Sequence, residues 1–166
     1  MITQLKHPLT PCLWFDTEAE EAANFYCSVF PDSSVTRVSH YPDAGQDVHG
    51  KPAGSVMMVA FEINGQPFTA LNGGPNFKLD EAVSFQIMCD TQNEVDYYWN
   101  ALTRDGGQEG PCGWLKDKFG LSWQVVPSVL LRLMSAGDPA VSARVMTAFM
   151  QMKKYDIATL ERAAAG

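Results

Sequence analysis

The chain repeats one order of local sequence signals about 73 residues apart, and this repeat constrains its fold more than any other feature. In the first copy an apolar stretch leads to Thr17, which can cap a helix, and Glu20 can complete a capping box three residues later. In the second copy the alternating stretch 83–89 leads to Thr91 and Glu94 in the same arrangement. An accidental succession of strands and helices is the alternative, but the paired caps favour an internal duplication.

Each predicted helix has one apolar face to bury. Apolar residues occupy positions i, i+3, i+4 and i+7 after each cap, which places their side chains on one side of a helix. The first set is Ala22, Phe25, Tyr26 and Val29, and the second is Val95, Tyr98, Trp99 and Leu102. We therefore expect each helix to pack on a sheet formed by the strands around it.

Strand signals follow each helix. In the first copy they lie at residues 35–41, 55–63 and 67–71. The last two are joined at Asn64-Gly65, which is a strong signal for a two-residue hairpin. In the shorter second copy, the segment 114–116 is expected to pair with the alternating segment 121–126 around a turn.

Together these elements predict an α+β fold of two β-α-β-β-β modules in a single domain, residues 1–166. Module one covers about 9–72, module two covers about 83–127, and a helical tail covers about 128–166. In the tail, Asp138 before Pro139 and then Asp156 are the expected helix caps.

Charge and composition exclude several classes of partner. The formal net charge is −7 and no basic run exceeds Lys153-Lys154, so neither nucleic acid nor an anionic membrane is expected as a partner. No apolar run approaches the roughly 20 residues of a membrane span. The start of the chain lacks the pattern of a secretory signal, so we expect a cytoplasmic protein. The four cysteines form no C-x-x-C pair, which favours reduced thiols.

Motifs spread over most of the chain resemble one known family. They are found at residues 10–16 (TPCLWFD), 22–26 (AANFY), 64–75 (NGQPFTALNGGP), 113–127 (the closing hairpin) and 150–157 (MQMKKYDI). By these motifs the chain resembles the vicinal oxygen chelate superfamily, also called the glyoxalase/bleomycin-resistance/dioxygenase fold, and within it the PhnB-like branch. The resemblance implies two modules whose curled mixed sheets enclose a pocket, commonly completed by homodimerisation.

Strand alternation predicts which side chains line such a pocket. A half-buried strand turns its apolar face to the helix and leaves its other face for the interior of the curl. In module two this reasoning selects Ser84, Gln86, Ser122 and Gln124. In module one it selects Thr10, Cys12, Trp14 and Phe68. This predicted ligand-binding set mixes apolar, hydroxyl and amide groups and has no formal charge.

The resemblance also implies where a metal ion would bind, because metal-binding members of the superfamily take one His or Glu from each corresponding strand. Those positions fall here near Thr10, Ala70, Ser84 and Gln124. None of them offers an imidazole, carboxylate or thiolate, and a catalytic transition-metal site needs about three such donors. We therefore expect no metal and no other cofactor. No common site can be assigned to His7, His40 and His49, although His49 could belong to a lid formed by the loop 42–54.

Other reactive or aromatic residues have a structural and a functional interpretation. A nucleophilic role for Cys12 or Cys112 would need a neighbouring base or cation, and none is identifiable. We expect Lys116 and Asp117 to be surface charges of the hairpin, although Lys116 could meet an anionic ligand group. Trp114, like Trp14, could pack in the core or form an aromatic wall against a planar ligand.

Three function classes follow. The favoured one is a metal-free protein that binds a small organic ligand. The alternatives are a lyase, isomerase or dioxygenase-type enzyme of the same superfamily, and a dimeric interaction module with a vestigial pocket.

The PhnB-like branch is sometimes labelled 3-demethylubiquinone methyltransferase. Methyl transfer is not expected, because Gly73-Gly74 lies in a linker and does not open a helix after a buried strand, as a nucleotide-type glycine loop does.

Overall fold

A computed structural model describes residues 9–166 of the chain. These residues form two compact units, one ending at Lys78 and the other spanning Leu79–Gly166. His7, which was considered above together with His40 and His49, lies outside the described residues. Within them, no helix has both the length and the apolar character that crossing a membrane requires.

The first unit is a four-stranded mixed sheet with one long helix. Its elements are β1 (Cys12–Phe15), α1 (Ala19–Val29), β2 (Ser34–His40), α2 (Gln46–His49), β3 (Val56–Ile63) and β4 (Gln66–Asn72). The strand order is β1-β4-β3-β2, with β1 parallel to β4 and the other pairs antiparallel. Asn64 and Gly65 both have positive φ and form the hairpin turn between β3 and β4, as predicted.

The second unit repeats this topology. Its first elements are β5 (Ser84–Cys89), α3 (Gln92–Thr103), a single 3-10 turn (Arg104–Gly106), β6 (Gln108–Glu109), β7 (Trp114–Lys116) and β8 (Ser122–Pro127). The strand order is β5-β8-β7-β6, with β5 parallel to β8. Because the same strand order and the same parallel pair occur in both units, the predicted α+β fold of two β-α-β-β-β modules is confirmed.

The predicted apolar face of α1 is buried on its own sheet. All four residues of the first stripe are at most 8% exposed. The Tyr26 ring stacks on Phe61 of β3 at 6.0 Å, and Phe61 stacks on Phe68 of β4 at 5.4 Å. In the second unit, Val95, Trp99 and Leu102 of α3 are buried in the same way, and Tyr98 is half-buried. The helical periodicity in the sequence therefore identified the core faces of both helices.

The two helices begin differently, although their sequences suggest the same cap. The capping box of Thr91 and Glu94 is present at the start of α3. The box predicted at Thr17 and Glu20 is wrong, because α1 begins at Ala19 and has no side-chain cap from its own N-terminal segment. Instead, the Ala19 amide donates to Oδ1 of Asn72, a buried residue at the end of β4, at 2.8 Å.

The tail forms three helices, α4 (Ser128–Met134), α5 (Pro139–Phe149) and α6 (Ile157–Ala165). The predicted caps are confirmed, since Asp138 accepts from the Ala140 amide at 2.8 Å and Asp156 accepts from the Thr159 amide at 2.7 Å. A separate apolar cluster holds this tail to the end of β8, and it contains Val126, Leu130, Val145, Tyr155 and Leu160. The tail is therefore an integral part of the second unit.

Candidate functional site

The second sheet has one face covered by α3 and one open face. In the parallel pair of β5 and β8, Ser84 lies beside Ser122 and Gln86 beside Gln124. Paired residues of neighbouring strands share a face, and the residues between them point to the other side. Since Trp123 between Ser122 and Gln124, and Ile87 after Gln86, are buried, the four predicted residues of module two lie together on the face away from α3, as the alternation indicated.

Three of these side chains form one hydrogen-bonded row across the two strands. The Gln124 amide donates from Nε2 to Ser84 Oγ at 2.8 Å. Its Oε1 accepts from Gln86 Nε2 at 3.3 Å. Both ends of the Gln124 amide are thus engaged, which fixes its orientation. The row presents amide and hydroxyl groups to the open face.

Ser122 has a different role from its neighbours in the row. Its side chain is fully buried, and its Oγ donates to the Asp80 carbonyl oxygen at 3.3 Å. This bond holds the irregular segment that precedes β5 against β8. Ser122 therefore supports the rim of the site.

A pocket of about 400 Å³ lies on this sheet, toward β6 and β7. Its lining residues are Glu81, Gln108, Glu109, Gly110, Pro111, Trp114, Leu115, Lys116 and Ser122. Of the predicted set, it contains only Ser122. The register pairs Trp114 with Gln124 and Lys116 with Ser122, so both β7 side chains share the face of the polar row. Applying the alternation argument to the segment 114–116 would have found them from the sequence.

The ionisable groups around this pocket are paired. Lys116 Nζ lies 2.5 Å from Glu81 Oε1, and the hydrogen bond from Lys116 lowers the pKa of the Glu81 carboxyl. Trp99 Nε1 donates to Glu109 Oε1 at 3.0 Å, and this bond, followed by one from Lys153, lowers the pKa of Glu109. Both carboxyl groups therefore stay ionised at neutral pH.

Asp117 is not the surface charge that the sequence suggested. It is only 3% exposed. Its Oδ1 accepts from the amides of Phe119 and Leu121, at 2.9 and 3.0 Å. Its Oδ2 accepts from Trp123 Nε1 at 2.9 Å. The prediction was wrong because polarity in a turn suggested solvent, whereas the turn folds its amides around this carboxylate.

In the first unit, the open face of the sheet carries Cys12 and Trp14. Cys12 pairs with Thr69 and Trp14 pairs with Leu71, so these residues share a face away from α1. The Trp14 indole donates from Nε1 to the Gly74 carbonyl oxygen at 2.8 Å. Thr10, which was predicted to line the pocket, is exposed and precedes β1, which begins at Cys12.

Phe68 lies on the wrong side of its strand for the predicted site. The register places it opposite Phe61, with which it stacks under α1, and it is only 5% exposed. The neighbouring Ala70 is fully buried on the same face. Residues 67–71 are apolar or small on both faces, so their alternation could not decide which face the helix covers. The aromatic ring packs in the core because burial removes its large apolar surface from water.

The loop containing His49 is held by local bonds. The Lys51 amide donates to His49 Nδ1 at 3.0 Å, so the neutral ring carries its proton on Nε2, which lies 3.1 Å from the Ala44 carbonyl oxygen. Lys51 Nζ donates to the Asp16 carbonyl oxygen at 2.9 Å. These contacts give His49 a structural role in the loop, and its predicted role in a lid stays a prediction.

The side chains present do not fit a bound divalent ion. Among residues 9–166, no three His, Cys, Asp or Glu side chains come close enough together to hold one. At the positions implied by the superfamily, Ser84 and Gln124 bond to each other and Ala70 is in the core. Hydroxyl and amide groups hold such an ion poorly in competition with water.

Comparison with known proteins identifies relatives of this chain. The sequence model of the 3-demethylubiquinone-9 3-methyltransferase family matches residues 7–126. Among solved structures, a PhnB protein from Bacillus cereus is 32% identical, with a TM-score of 0.62 over 74% of this chain and 100% of that one. Protein PA1353 from Pseudomonas aeruginosa is 19% identical, with a TM-score of 0.58 over 74% and 98%.

A more distant structural relative is a fosfomycin resistance protein, FosX from Mesorhizobium loti. It is 13% identical, with a TM-score of 0.51 over 74% of this chain and 91% of that one. At this identity the likeness concerns the fold alone. A search among curated proteins found no match.

Proposed function

Because the chain belongs to the 3-demethylubiquinone-9 3-methyltransferase family, a PhnB-like branch of the vicinal oxygen chelate fold, we propose that it binds a small organic ligand without a metal ion. The proposed site is the open face of the second sheet. The observation that carries the proposal is the row formed by Ser84, Gln124 and Gln86, which offers neutral donors and acceptors. Polar groups of this kind orient a ligand in a mainly apolar pocket.

The adjoining pocket supports the proposal by its size and composition. Ligand pockets usually have volumes of roughly 300–1,000 Å³, and this one has about 400 Å³. Trp114 and Pro111 supply apolar surface, while Gln108 adds an amide. An organic molecule of one or two rings would fill such a space and could reach the row from it.

The activity in the family's description is not part of the proposal. A methyltransferase needs a site for its methyl donor, and a glycine loop that opens a helix after a strand is the usual way to hold a nucleotide. Here Gly73 and Gly74 follow β4, but no helix comes before β5. A Cβ atom on Gly73 would lie 2.2 Å from the Trp14 ring, so this glycine accommodates an indole. Gly73 and Gly74 therefore do not form a loop of this kind.

Homodimerisation is a second part of the proposal, and it rests on the resemblance to the superfamily. Light scattering on the purified protein tests it. A mass of twice 18.3 kDa supports a homodimer, and a mass of 18.3 kDa contradicts it.

The ligand-binding proposal is tested by thermal-shift screening of small organic compounds, followed by calorimetry of any hit. Gln124→Leu removes the central donor and acceptor of the row. We expect it to weaken the affinity for the hit by about ten-fold, because a hydrogen bond to a neutral ligand is worth roughly 1 kcal/mol or slightly more. Gln151→Leu makes the same chemical change at an exposed position in the tail and serves as the matched control. Equal affinity in both variants would remove the row from the site.

A further inference from the structure

The pocket of the second unit contains a lysine whose partner can leave. Lys116 lies on β7, and its side chain is 30% exposed. Glu81 lies on the irregular segment between β4 and β5, and its side chain is 63% exposed. The lysine is fixed by a paired strand, whereas the carboxylate is attached to a segment without regular structure. If one partner of this pair is replaced, it is therefore the carboxylate.

We infer that the ligand of the proposed site is a planar aromatic carboxylate, which takes the place of Glu81 on Lys116 and lays its ring against Trp114. This inference rests on the proposed function and names the chemical class of its ligand. In the absence of ligand, the Glu81 carboxylate occupies the position of the ligand's carboxylate.

The exchange is energetically reasonable because it replaces like with like. A ligand carboxylate makes the same charge-assisted bond to Lys116 Nζ that Glu81 makes at 2.5 Å. An exposed ion pair raises the equilibrium constant for folding by a factor of roughly five at most. Little stability is therefore lost when Glu81 moves into water. The ring then gains the contact with Trp114, which the free protein does not have. The balance therefore favours a ligand that combines one carboxylate with an aromatic ring.

The aromatic wall is held in position by its surroundings. Trp114 pairs with Gln124 on β8, and its carbonyl oxygen accepts from the Gly110 amide at 2.8 Å. A Cβ atom on Gly110 would lie 3.3 Å from Trp114 Cβ, so the glycine lets the loop close against this residue. Lys116 follows two residues later on the same face. Ring and charge are thus held on one short strand.

The other charges around the pocket argue for a single anionic group. Glu109 also lines the pocket, but it is bonded to Trp99 and Lys153. Among the lining residues that the structure describes, Lys116 is the one basic side chain, so a second negative group on the ligand would have no second cation of the lining to pair with. A cationic ligand would find both carboxylates of the lining already paired with lysines, Glu81 with Lys116 and Glu109 with Lys153. A monoanion fits both constraints.

The test compares two probes by calorimetry, 2-naphthoate and its neutral analogue 2-naphthamide. We expect 2-naphthoate to bind at least ten-fold more tightly than 2-naphthamide. Lys116→Met should weaken the affinity for 2-naphthoate by about ten-fold or more. Glu81→Gln should tighten this affinity by about three- to five-fold, because the competing carboxylate is gone. The two variants break the same ion pair and have opposite effects, which a purely structural role of the pair would not produce.

A second ion pair of the same unit provides matched controls. Lys154 Nζ lies 2.6 Å from Asp96 Oδ1, and neither residue lines the pocket. Lys154→Met and Asp96→Asn should leave the affinity for 2-naphthoate within about two-fold of the wild type. Thermal unfolding of each variant shows whether it has kept its fold.

The outcomes separate this inference from the proposed function. If 2-naphthamide binds as tightly as 2-naphthoate, or if Glu81→Gln leaves the affinity for 2-naphthoate unchanged or weakens it, the carboxylate class is wrong. In that case, a loss of 2-naphthamide binding in Gln124→Leu would still support the proposed site. If neither probe binds, the inference is overturned, and the hit from the thermal-shift screen alone decides the proposed function.

Discussion

The Asn72 side chain caps helix α1 from a strand 53 residues away in sequence, accepting a 2.8 Å hydrogen bond from the Ala19 amide at Oδ1. Its Nδ2 atom donates to the Val56 carbonyl oxygen at 3.0 Å. One buried amide thus joins β4, β3 and the first turn of the helix. Helix caps of this kind satisfy an amide that has no partner within its own helix.

Replacing Asn72 should therefore destabilise the first unit. Asn72→Ala leaves the Ala19 amide and the Val56 carbonyl without this partner, and we expect it to lower the free energy of unfolding by about 2–4 kcal/mol. Thr17→Ala removes the cap that the sequence suggested and should change it by less than about 0.5 kcal/mol. Urea denaturation measures both. A larger loss in Thr17→Ala than in Asn72→Ala would contradict this account of the helix start.

Gly113 and Gly137 allow steric overlap to be separated from backbone strain. Both have positive φ, at +77° and +81°. A Cβ atom on Gly113 would lie 2.4 Å from the Tyr155 ring and 2.8 Å from the Val125 carbonyl oxygen, whereas at Gly137 it would meet nothing within 4 Å. We expect Gly137→Ala to cost about 1 kcal/mol of stability and Gly113→Ala roughly 3 kcal/mol. Thermal unfolding provides the comparison, and equal losses would show that the hairpin and tail are not tightly packed here.

The stability of the second unit should fall at alkaline pH. Burial raises the pKa of the Cys89 thiol and of the Tyr155 hydroxyl, each to about 12. In the unfolded chain these groups ionise with pKa values near their ordinary ones, about 8.5 and 10. The folded state keeps protons that the unfolded state releases, so stability is fully present below about pH 8 and is lost as pH rises toward about 12.

A variant isolates the contribution of the tyrosine. Tyr155→Phe removes one of the two titrations, so the free energy of unfolding should decline less steeply between about pH 10 and 11.5 than in the wild type. Tyr97→Phe changes a half-exposed tyrosine of α3 and is the control. Urea denaturation over this pH range measures the slopes. If the free energy of unfolding of Tyr155→Phe declines with pH as steeply as that of the control, burial of this hydroxyl does not cause the loss of stability at alkaline pH.

The polar row offers a direct check of the proposal that the site binds no metal ion. Ser84→His, Gln86→His and Gln124→Glu together place three metal-binding side chains where the present ones lie within hydrogen-bond distance. We expect the triple variant to bind one zinc ion with a dissociation constant of about 10 μM or lower, because three such donors form the usual protein share of an open zinc site. Calorimetry measures the affinity, with each single variant as a control. No gain in the triple variant would mean that these positions do not converge.

Much of the fold could be predicted from local patterns. The stripe of Val95, Trp99 and Leu102 gave the buried face of α3, and the alternation around Gln124 gave the open face of β8. These patterns are reliable because helix and strand geometry fix the direction of successive side chains within one segment. The boundaries of the elements were predicted less accurately. Module one was expected to begin at about residue 9, whereas its first strand begins at Cys12.

Features that depend on distant residues could not be predicted in the same way. The sequence near Thr17 resembles a capping box, but α1 is capped from β4 by Asn72. Phe68 was assigned to the pocket, but it packs against Phe61. Asp117 was assigned to the surface, but the amides of its own turn and the Trp123 indole enclose it.

The sequence by itself determined the duplication, the type of each main element and the neutral chemistry of the row on the second sheet. Only the tertiary structure decided which face of β4 is covered, which side chain caps α1 and which residues surround the pocket beside Trp114. The physical reason is that side-chain direction along one segment follows from local backbone geometry. The choice between two otherwise equivalent faces depends on the apolar area and hydrogen bonds gained from segments far away in the chain.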